Sequence, residues 1–489
     1  MKVLLIFPPT RMNDLPRNFP TGLGIIAAIL RQEGHAVTVL DINGNRFSKE
    51  YVEKFIAKEK FDIVGIGGLL TVYNYVKWLV PIIKKKNPQI PVVLGGSIGS
   101  NVPELSLTKL KVDYVVDGEG EITAPKLFKA LENKDDVEHI KGIWFLKNAV
   151  PYCTGPCERV SDLDEVPWPA WDLFPMKKYL QNPVVGFGKD LDLITSRGCP
   201  YQCIFCYKIG GRYYRQMSIK KVISEIKNLI EIYKLDFISF QDNEFMIDKN
   251  WVKEFCHKPN EENINIQWSC TGRVNLVDEE IVKTMKDAGC TSISFGIESG
   301  SQKMLDIMKK AVTAEQAKNA ITLVKNIGLR CPCSFMIGLP GETKETIEET
   351  IQFCKDINMA LTALMFAAPY PGTELFEMAK KAGKIPADWR DLEPLVSKLG
   401  DCVDFVVNLT DSFTDQELIQ MRDYMIHETQ KTHVPEPIEA RKKKFIDLYG
   451  TEVYNKILDQ LKDSKNVNHL LTHGFNDLFD FLKQENEKD

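Results

Sequence analysis

Short runs of β-branched and other apolar residues alternate with longer amphipathic stretches along most of this chain of 489 residues. In the first 135 residues the strand-like runs include 3–7, 63–68 and 92–96, and each leads into glycine, proline or other small residues. Such an alternation is typical of βαβ units around a parallel sheet. The sequence therefore predicts an α/β domain over residues 1–135, with a ligand site at the carboxyl ends of its strands.

The same alternation returns between residues 189 and 384. Six strand-like runs are separated there by helical patterns such as 219–233 and 278–288. Repeated βα units of this kind predict a partial (β/α)6 barrel of the TIM type, whose chemistry would lie at the carboxyl ends of the strands.

Two further segments have a different character. Residues 136–188 are rich in proline and tryptophan and lack periodicity, which indicates a linker wrapped over its neighbours. Residues 385–489 contain charged amphipathic patterns, at 416–430, 437–448 and 453–461, which predict a mostly helical C-terminal domain.

Charge and composition exclude several classes of protein. The 62 basic and 67 acidic residues give a formal charge of -5, which offers no field for binding to nucleic acid. The apolar run at the N-terminus is shorter than that of a signal peptide, and no apolar stretch reaches the ~18 residues of a transmembrane helix. Twelve unevenly spaced cysteines suit metal chemistry in a reducing compartment, so a cytoplasmic protein is expected.

The most informative motif is the C-x3-C-x2-C formed by Cys199, Cys203 and Cys206, just after a predicted strand. Three thiolates at this spacing can bind three irons of a cubane iron–sulfur cluster and leave the fourth iron open. Zinc is the alternative metal, but it needs a fourth protein ligand, and the next candidate, His257, is 51 residues on. Three ordinary buried cysteines are improbable at this spacing.

The triad, with an aromatic residue before its last cysteine, resembles the signature of the radical S-adenosylmethionine (SAM) enzymes. Loops and strand ends that follow it are similar to the other motifs of that superfamily over residues 190–380. The resemblance implies a [4Fe–4S] cluster held by the three cysteines, with SAM bound to the open iron. It also implies SAM contacts from Gln241, Asp242, Asn243, Ser269, Arg273, Glu298 and Gly338, and a catalytic position at Tyr370.

The N-terminal domain lacks the dinucleotide motif G-x-G-x-x-G after its first strand. It resembles instead the Rossmann-like cobalamin-binding domain that precedes many radical SAM enzymes. The resemblance implies cobalamin contacts from Gly67, Gly68, Leu69, Thr71, Gly95, Gly96, Ser97, Gly118 and Glu119. None of the seven histidines lies in a D-x-H-x-x-G motif, so a lower histidine ligand to cobalt is not expected.

Three functional hypotheses follow. The first is a cobalamin-dependent radical SAM enzyme that methylates an unactivated carbon, by way of a 5'-deoxyadenosyl radical and methylcobalamin. The second keeps these cofactors but leads to cyclisation, ring contraction or C–C coupling. The third is a docking domain without cobalamin, with Leu69, Leu70 and Tyr73 on its surface.

The expected partners are a small-molecule, lipid or peptide substrate and a one-electron donor such as flavodoxin or ferredoxin. Cys153 and Cys157, or Cys331 and Cys333, would be the ligands of an auxiliary cluster if one exists. Separated pairs of this kind are more often ordinary core or loop residues.

Overall fold

The computed structural model describes residues 1–10, 18–180, 189–207, 210–262, 264–362, 364–400 and 405–434, and a few positions between 440 and 455. The strands, in chain order, are β1 (Lys2–Phe7), β2 (Ala36–Asp41), β3 (Ile63–Gly67), β4 (Val92–Gly95), β5 (Tyr114–Val116), β6 (Ile143–Lys147), β7 (Val150–Cys153), β8 (Asp190–Leu193), β9 (Ser196–Arg197), β10 (Arg215–Gln216), β11 (Phe237–Phe240), β12 (Gln267–Gly272), β13 (Cys290–Glu298), β14 (Cys333–Ile337) and β15 (Met365–Phe366). The helices are α1 (Thr21–Gln32), α2 (Ile42–Asn45), α3 (Lys49–Lys58), α4 (Tyr73–Lys86), α5 (Ser97–Asn101), α6 (Pro103–Thr108), α7 (Gly120–Asn133), α8 (Met176–Leu180), α9 (Ile219–Tyr233), α10 (Lys249–Glu261), α11 (Glu279–Asp287), α12 (Gln302–Ile307), α13 (Ala314–Ile327), α14 (Lys344–Asp356), α15 (Glu374–Lys381), α16 (Glu393–Val396) and α17 (Asp415–Thr432). Within these residues, no helix is long and apolar enough to cross a membrane.

The first sheet has the strand order β2-β1-β3-β4-β5-β6-β7, and its first five strands are parallel. Strand β1 lies between β2 and β3, so the winding of the chain reverses at β1. In open α/β sheets the ligand crevice lies at the carboxyl ends of the strands at such a point. The predicted N-terminal α/β domain is confirmed, and the loops after β1 and β3 mark its ligand edge.

Burial explains why these strands form a parallel sheet. Nearly every residue of β1, β3 and β4 is buried, because helices cover both faces of the sheet. The strands are therefore almost continuously apolar, as the sequence pattern requires.

The second sheet has the order β15-β14-β13-β12-β11-β8, and all six strands are parallel. Each strand pairs with the next strand of the sheet along the chain, and helices form the crossovers, as in the wall of a TIM-like barrel. The predicted partial barrel of six strands is confirmed. The pairing of β13 with β14 shifts register between Gly296 and Glu298, at the end of the sheet where the site residues lie.

The proline-rich segment 136–188 contains more regular structure than its composition predicts. Strands β6 and β7 form an antiparallel hairpin that extends the first sheet. Pro151 lies on β7, which pairs only with β6 and is an edge strand, the place where a sheet tolerates proline. The rest of the segment packs against both domains: Phe19 contacts the Trp171 ring, and the Trp171 indole Nε1–H donates to Glu225 at 2.7 Å.

The described part of the C-terminal segment contains helices α16 and α17, and residues 405–414 between them form neither helix nor strand. Helix α17 begins at a capping box in which Thr414 and Glu417 bond each other's backbone N–H, and it packs against α14. The patterns at 437–448 and 453–461 lie largely or wholly outside the described residues. The three boundaries between the four predicted segments stay predictions.

Candidate active site

A cavity of about 1110 Å³ is lined by loops of both sheets. The first sheet contributes the loops after β3, β4 and β5, and the second contributes the loop after β11. The predicted site residues that line the cavity are Gly67, Gly68, Leu69, Thr71, Gly95, Gly96, Ser97, Gly118, Glu119, Gln241, Asn243 and Tyr370. Residues predicted from two unrelated sets of motifs therefore face one shared space.

The glycines at the first sheet's edge allow its loops to approach closely. Gly96 has φ +78° and ψ -170°, and a Cβ atom there would lie 2.6 Å from the carbonyl oxygen of Gly68. The hydroxyl of Ser97 accepts a hydrogen bond from the N–H of Leu70 at 3.1 Å. The loops after β3 and β4 are thus locked together, and bare backbone faces the cavity at both strand ends.

The three cysteines of the motif lie on the loop between β9 and β10. Cys203 is buried and Cys206 is exposed, and the N–H of Cys206 donates to the carbonyl of Cys203 at 3.3 Å. A hydrogen bond from Cys206, with the cations Lys310 and Arg273 nearby, lowers the pKa of Cys203, whereas the same hydrogen bond together with burial raises the pKa of Cys206. Because the thiolate is the form that binds metal, this environment prepares Cys203 to act as a ligand.

The described residues contain no group of three or more His, Cys, Asp or Glu side chains that could hold a single metal ion. A cubane cluster makes no such demand, because each of its cysteines binds a different iron. The donor set therefore suits a cluster better than zinc. Cys153 ends β7 of the first sheet and Cys333 begins β14 of the second, and the described residues bring no group of three metal-binding side chains together around either pair.

A buried group of charges surrounds Cys203. The Arg273 guanidinium Nη1 lies 3.9 Å from Cys203 Sγ, and its carbon lies 3.7 Å from the centre of the Tyr201 ring. Lys310 Nζ lies 3.1 Å from Glu298 Oε1, and both side chains are 9% exposed. Burial raises the pKa of Glu298, and Lys310 opposes that shift. Among the described residues, Arg273 Nε and Nη2 are buried without a hydrogen-bond partner. Two polar atoms of this guanidinium are therefore unpaired within the charged group around Cys203.

Two residues of this charged group were not singled out from the sequence. Lys310 follows α12 and carries no motif that marks it. Glu244 belongs to the loop that resembles the SAM-facing motif but is not among the predicted SAM contacts, and burial raises its pKa to about 7 despite Arg273 and Lys310 nearby. Its place directly after Asn243 is the signal that would have found it.

Other predicted residues have structural partners. Asp242 Oδ1 accepts hydrogen bonds from the N–H and hydroxyl of Thr195 and from Ser196, and burial raises the pKa of Asp242 to about 6. Gln241 donates to Asp192 Oδ1 at 3.2 Å. Asp242 therefore fastens the loop after β11 to the chain just before the cysteine loop, and its SAM contact stays a prediction.

The remaining positions are also placed by the structure. Ser269 alternates along β12 with Trp268 and Cys270, which are buried, so it lies on the other, more open face of the sheet. The N–H of Gly338 donates a hydrogen bond to the carboxylate of Glu342. This bond accounts for the turn at Gly338, so no ligand is needed to explain it. The Tyr370 hydroxyl donates to the carbonyl of Gly400 at 2.6 Å. The predicted site residues that are not among the described residues lining the cavity are Asp242, Ser269, Arg273, Glu298, Gly338 and the three cysteines of the motif.

Glu119 has partners that the sequence did not indicate. Its carboxylate forms ion pairs with Arg215 and, at 3.4 Å, with Arg197. Both arginines flank the cysteine loop. A contact of Glu119 with cobalamin stays a prediction, and its carboxylate is already bound by the second domain.

Comparison with known proteins identifies the family. The radical SAM superfamily model matches residues 193–354, and the B12 binding domain model matches residues 17–128. An uncharacterized methyltransferase of Pyrococcus horikoshii is 34% identical over 387 residues, which are 78% of this chain and 83% of that protein. This chain belongs to the radical SAM superfamily and carries a B12-binding domain.

Two further comparisons are informative. An anaerobic magnesium-protoporphyrin IX monomethyl ester cyclase of Rubrivivax gelatinosus is 30% identical over 390 residues, covering 77% of this chain and 70% of that protein. The structure of the cobalamin-dependent S-adenosylmethionine radical enzyme OxsB, with aqua-cobalamin and S-adenosylmethionine bound, covers 100% of this chain and 80% of its own. Its TM-score is 0.70 at 16% identity, which shows a shared fold.

Membership gives this radical SAM enzyme three cofactors: a [4Fe–4S] cluster, SAM and cobalamin. The residues present fit these cofactors. Three cysteines form the donor set, buried charges lie beside Cys203, and glycine backbone faces the cavity. The docking hypothesis is wrong. The domain is a B12-binding domain, and Leu70 and Tyr73 are buried rather than available to a partner.

We expect the exchange Glu298→Gln to weaken SAM binding roughly ten- to a hundredfold. A charge-assisted hydrogen bond in a buried site contributes roughly 1.5–3 kcal/mol, and the amide keeps the shape but loses the charge. Anaerobic titration calorimetry measures the affinity, and iron content should be unchanged. Glu225→Gln is the matched control, because that buried carboxylate binds Trp171. An unchanged affinity for SAM in Glu298→Gln would remove this residue from the site.

Bound cobalamin is expected without a nitrogen ligand on its lower face. None of the described residues that line the cavity is a histidine. Electron paramagnetic resonance of the Co(II) form should therefore show no nitrogen superhyperfine splitting. Splitting from an imidazole or a benzimidazole would contradict the prediction.

Proposed function

We propose that this enzyme transfers a methyl group to an unactivated carbon of its substrate. The observation that carries the proposal is the shared cavity of about 1110 Å³, because both cofactor domains contribute to its wall. Methyl transfer of this kind requires the substrate to meet two cofactors in one space. The Pyrococcus horikoshii relative, named a methyltransferase, supports the same function.

When bound, the cluster and SAM supply a radical that removes a hydrogen atom, and cobalamin supplies the methyl group. The chain's own part is to hold the reactants and to exclude water. Arg273 and Lys310 lie beside the Cys203 thiol and Glu298 in a buried group of opposite charges at the cysteine loop. The interlocked loops at Gly68 and Gly96 present backbone rather than side chains to the cavity.

The apolar wall of the cavity protects a reactive intermediate. Phe7, Phe19, Leu23, Leu70 and Met217 line it. Apolar side chains keep solvent and dissolved species such as oxygen or thiols away from a substrate radical, which these species would otherwise quench before transfer. A small-molecule, lipid or peptide substrate remains our proposal.

Cyclisation is the second candidate, and the Rubrivivax gelatinosus cyclase favours it because its identity and coverage are also high. The two functions differ in the fate of the methyl group of SAM. A methyltransferase moves that group, whereas a cyclase leaves it on methionine.

The test uses SAM labelled in its methyl group and needs no substrate. Protein loaded with both cofactors is reduced with dithionite, mixed with labelled SAM and separated from small molecules. Label in the corrin fraction supports methyl transfer. A label-free corrin together with 5'-deoxyadenosine formation would overturn the proposal and favour cyclisation.

Electron supply and location complete the proposal. We infer that a flavodoxin or a ferredoxin provides the electron, because SAM cleavage requires a one-electron reductant of low potential. A cytoplasmic location follows from the twelve cysteines, eleven of which are free in the described structure.

A further inference from the structure

The loop that carries the three cysteines is closed by a short antiparallel ladder. Strands β9 and β10 pair Arg197 with Arg215 and Ser196 with Gln216. Arg197 and Arg215 therefore lie directly opposite each other where the cysteine loop begins and ends. We call this pair of short strands, β9 and β10, the neck of the loop. Like charges at opposite positions of an antiparallel pair repel, so this ladder is unfavourable by itself.

Two carboxylates from the other domain neutralise this neck. Glu119 precedes α7 and Glu121 lies in its first turn. Glu119 accepts from Arg215 Nη1 at 3.0 Å, and Glu121 pairs with Arg197 at 2.5 Å. The side chains are 15% exposed in Arg197, 4% in Arg215, 5% in Glu119 and 8% in Glu121. Two buried positive charges are thus balanced by two buried negative charges across the domain boundary.

The neck is connected directly to a cluster ligand. The N–H of Cys199 donates to the carbonyl of Gly211 at 3.3 Å, and Gly211 lies four residues before Arg215. Arg215 also donates to the carbonyl of Gly210 at 3.5 Å. A displacement of Arg215 would therefore loosen the part of the chain that holds Cys199.

We propose that Glu119 of the B12-binding domain is a positioning residue for the iron–sulfur loop. Its carboxylate closes the neck by neutralising Arg215, while its backbone lies in the cavity wall between Gly118 and Gly120. The resemblance to cobalamin-binding domains also singles out Glu119, but as a contact of cobalamin.

The experiment compares Glu119→Gln with the unaltered protein, each loaded with cluster and cobalamin. Removing one partner of a buried ion pair leaves an uncompensated charge, which is strongly destabilising, whereas removing both is tolerated. Loss of iron to a ferrous chelator should therefore be roughly tenfold faster in Glu119→Gln. In the double variant Glu119→Gln/Arg215→Met the rate should fall below that of Glu119→Gln, because no uncompensated charge remains, but stay above that of the unaltered protein, because the donation of Arg215 to the carbonyl of Gly210 is also lost. Corrin content should be equal in all three proteins.

A matched control separates this role from general loosening of the two domains. Glu393 pairs with Lys77 at 2.7 Å and also joins the B12-binding domain to a distant segment, but Lys77 is 53% exposed. Glu393→Gln should leave the rate of iron loss unchanged. None of these measurements depends on methyl transfer. The positioning role of Glu119 can therefore be tested even if the proposed reaction is wrong.

The opposing outcomes are equally definite. Loss of corrin with a normal rate of iron loss would show that Glu119 contacts cobalamin, and it would contradict the proposal that Glu119 positions the iron–sulfur loop. A double variant that loses iron as fast as Glu119→Gln would also overturn it, because the uncompensated charge of Arg215 would then not be the cause.

Discussion

Replacing any one of Cys199, Cys203 and Cys206 with alanine is expected to remove the [4Fe–4S] cluster and to reduce SAM cleavage to background. Each thiolate is expected to bind a different iron, so the loss of one thiolate leaves that iron without its protein ligand. Iron, sulfide and absorbance near 400 nm should be measured after anaerobic reconstitution, and 5'-deoxyadenosine should be measured with dithionite as reductant.

Cys256→Ala is the control for these exchanges. Cys256 is a free, buried thiol on α10, outside the cysteine loop, and its alanine variant should keep cluster and activity. Corrin content should be normal in all four variants, because cobalamin binds in the other domain. A full cluster in each of the three loop variants would contradict the radical mechanism itself.

The fold was largely predictable because its signals are local. Strands β1, β3 and β4 are buried on both faces, so their sequence is apolar without interruption, and each ends in glycine or a prolyl turn. The six strands of the barrel follow the same rule. The hairpin β6–β7 was missed because proline normally argues against a strand, and the edge position that tolerates Pro151 depends on the assembled sheet.

The site was predictable only where chemistry sits in a contiguous motif. The cysteine triad is recognisable by its spacing, and the glycine loops are recognisable by their resemblance to cobalamin-binding domains. The ion pair of Glu119 with Arg215 joins residues 96 positions apart, in different domains. Lys310 reaches Glu298 only because β13 ends and α12 turns back beside it. Such contacts arise from packing of distant segments, which no local pattern encodes.

Replacing Gly96 with valine is expected to abolish cobalamin binding and to leave the cluster in place. The backbone of Gly96, at φ +78° and ψ -170°, lies in a region that is essentially restricted to glycine, where other residues cost about 1–3 kcal/mol. A Cβ atom would also lie 2.6 Å from the carbonyl oxygen of Gly68, so the loops after β3 and β4 would separate at the cavity wall. Corrin content should fall to roughly a tenth or less, since each 1.4 kcal/mol is a factor of ten in affinity.

Gly34→Val separates cobalamin binding from backbone strain. Gly34 also has a positive φ, +84°, but a Cβ atom there meets nothing within 4 Å, and Gly34 lies in the turn between α1 and β2, away from the cavity. Its variant should lose some thermal stability and keep its corrin. Corrin content is read from the absorption spectrum, and iron content reports the second domain independently. If Gly96→Val binds cobalamin normally, the loop after β4 does not form the cobalamin site. If both glycine variants lose corrin equally, strain in the domain rather than closure of these loops controls binding.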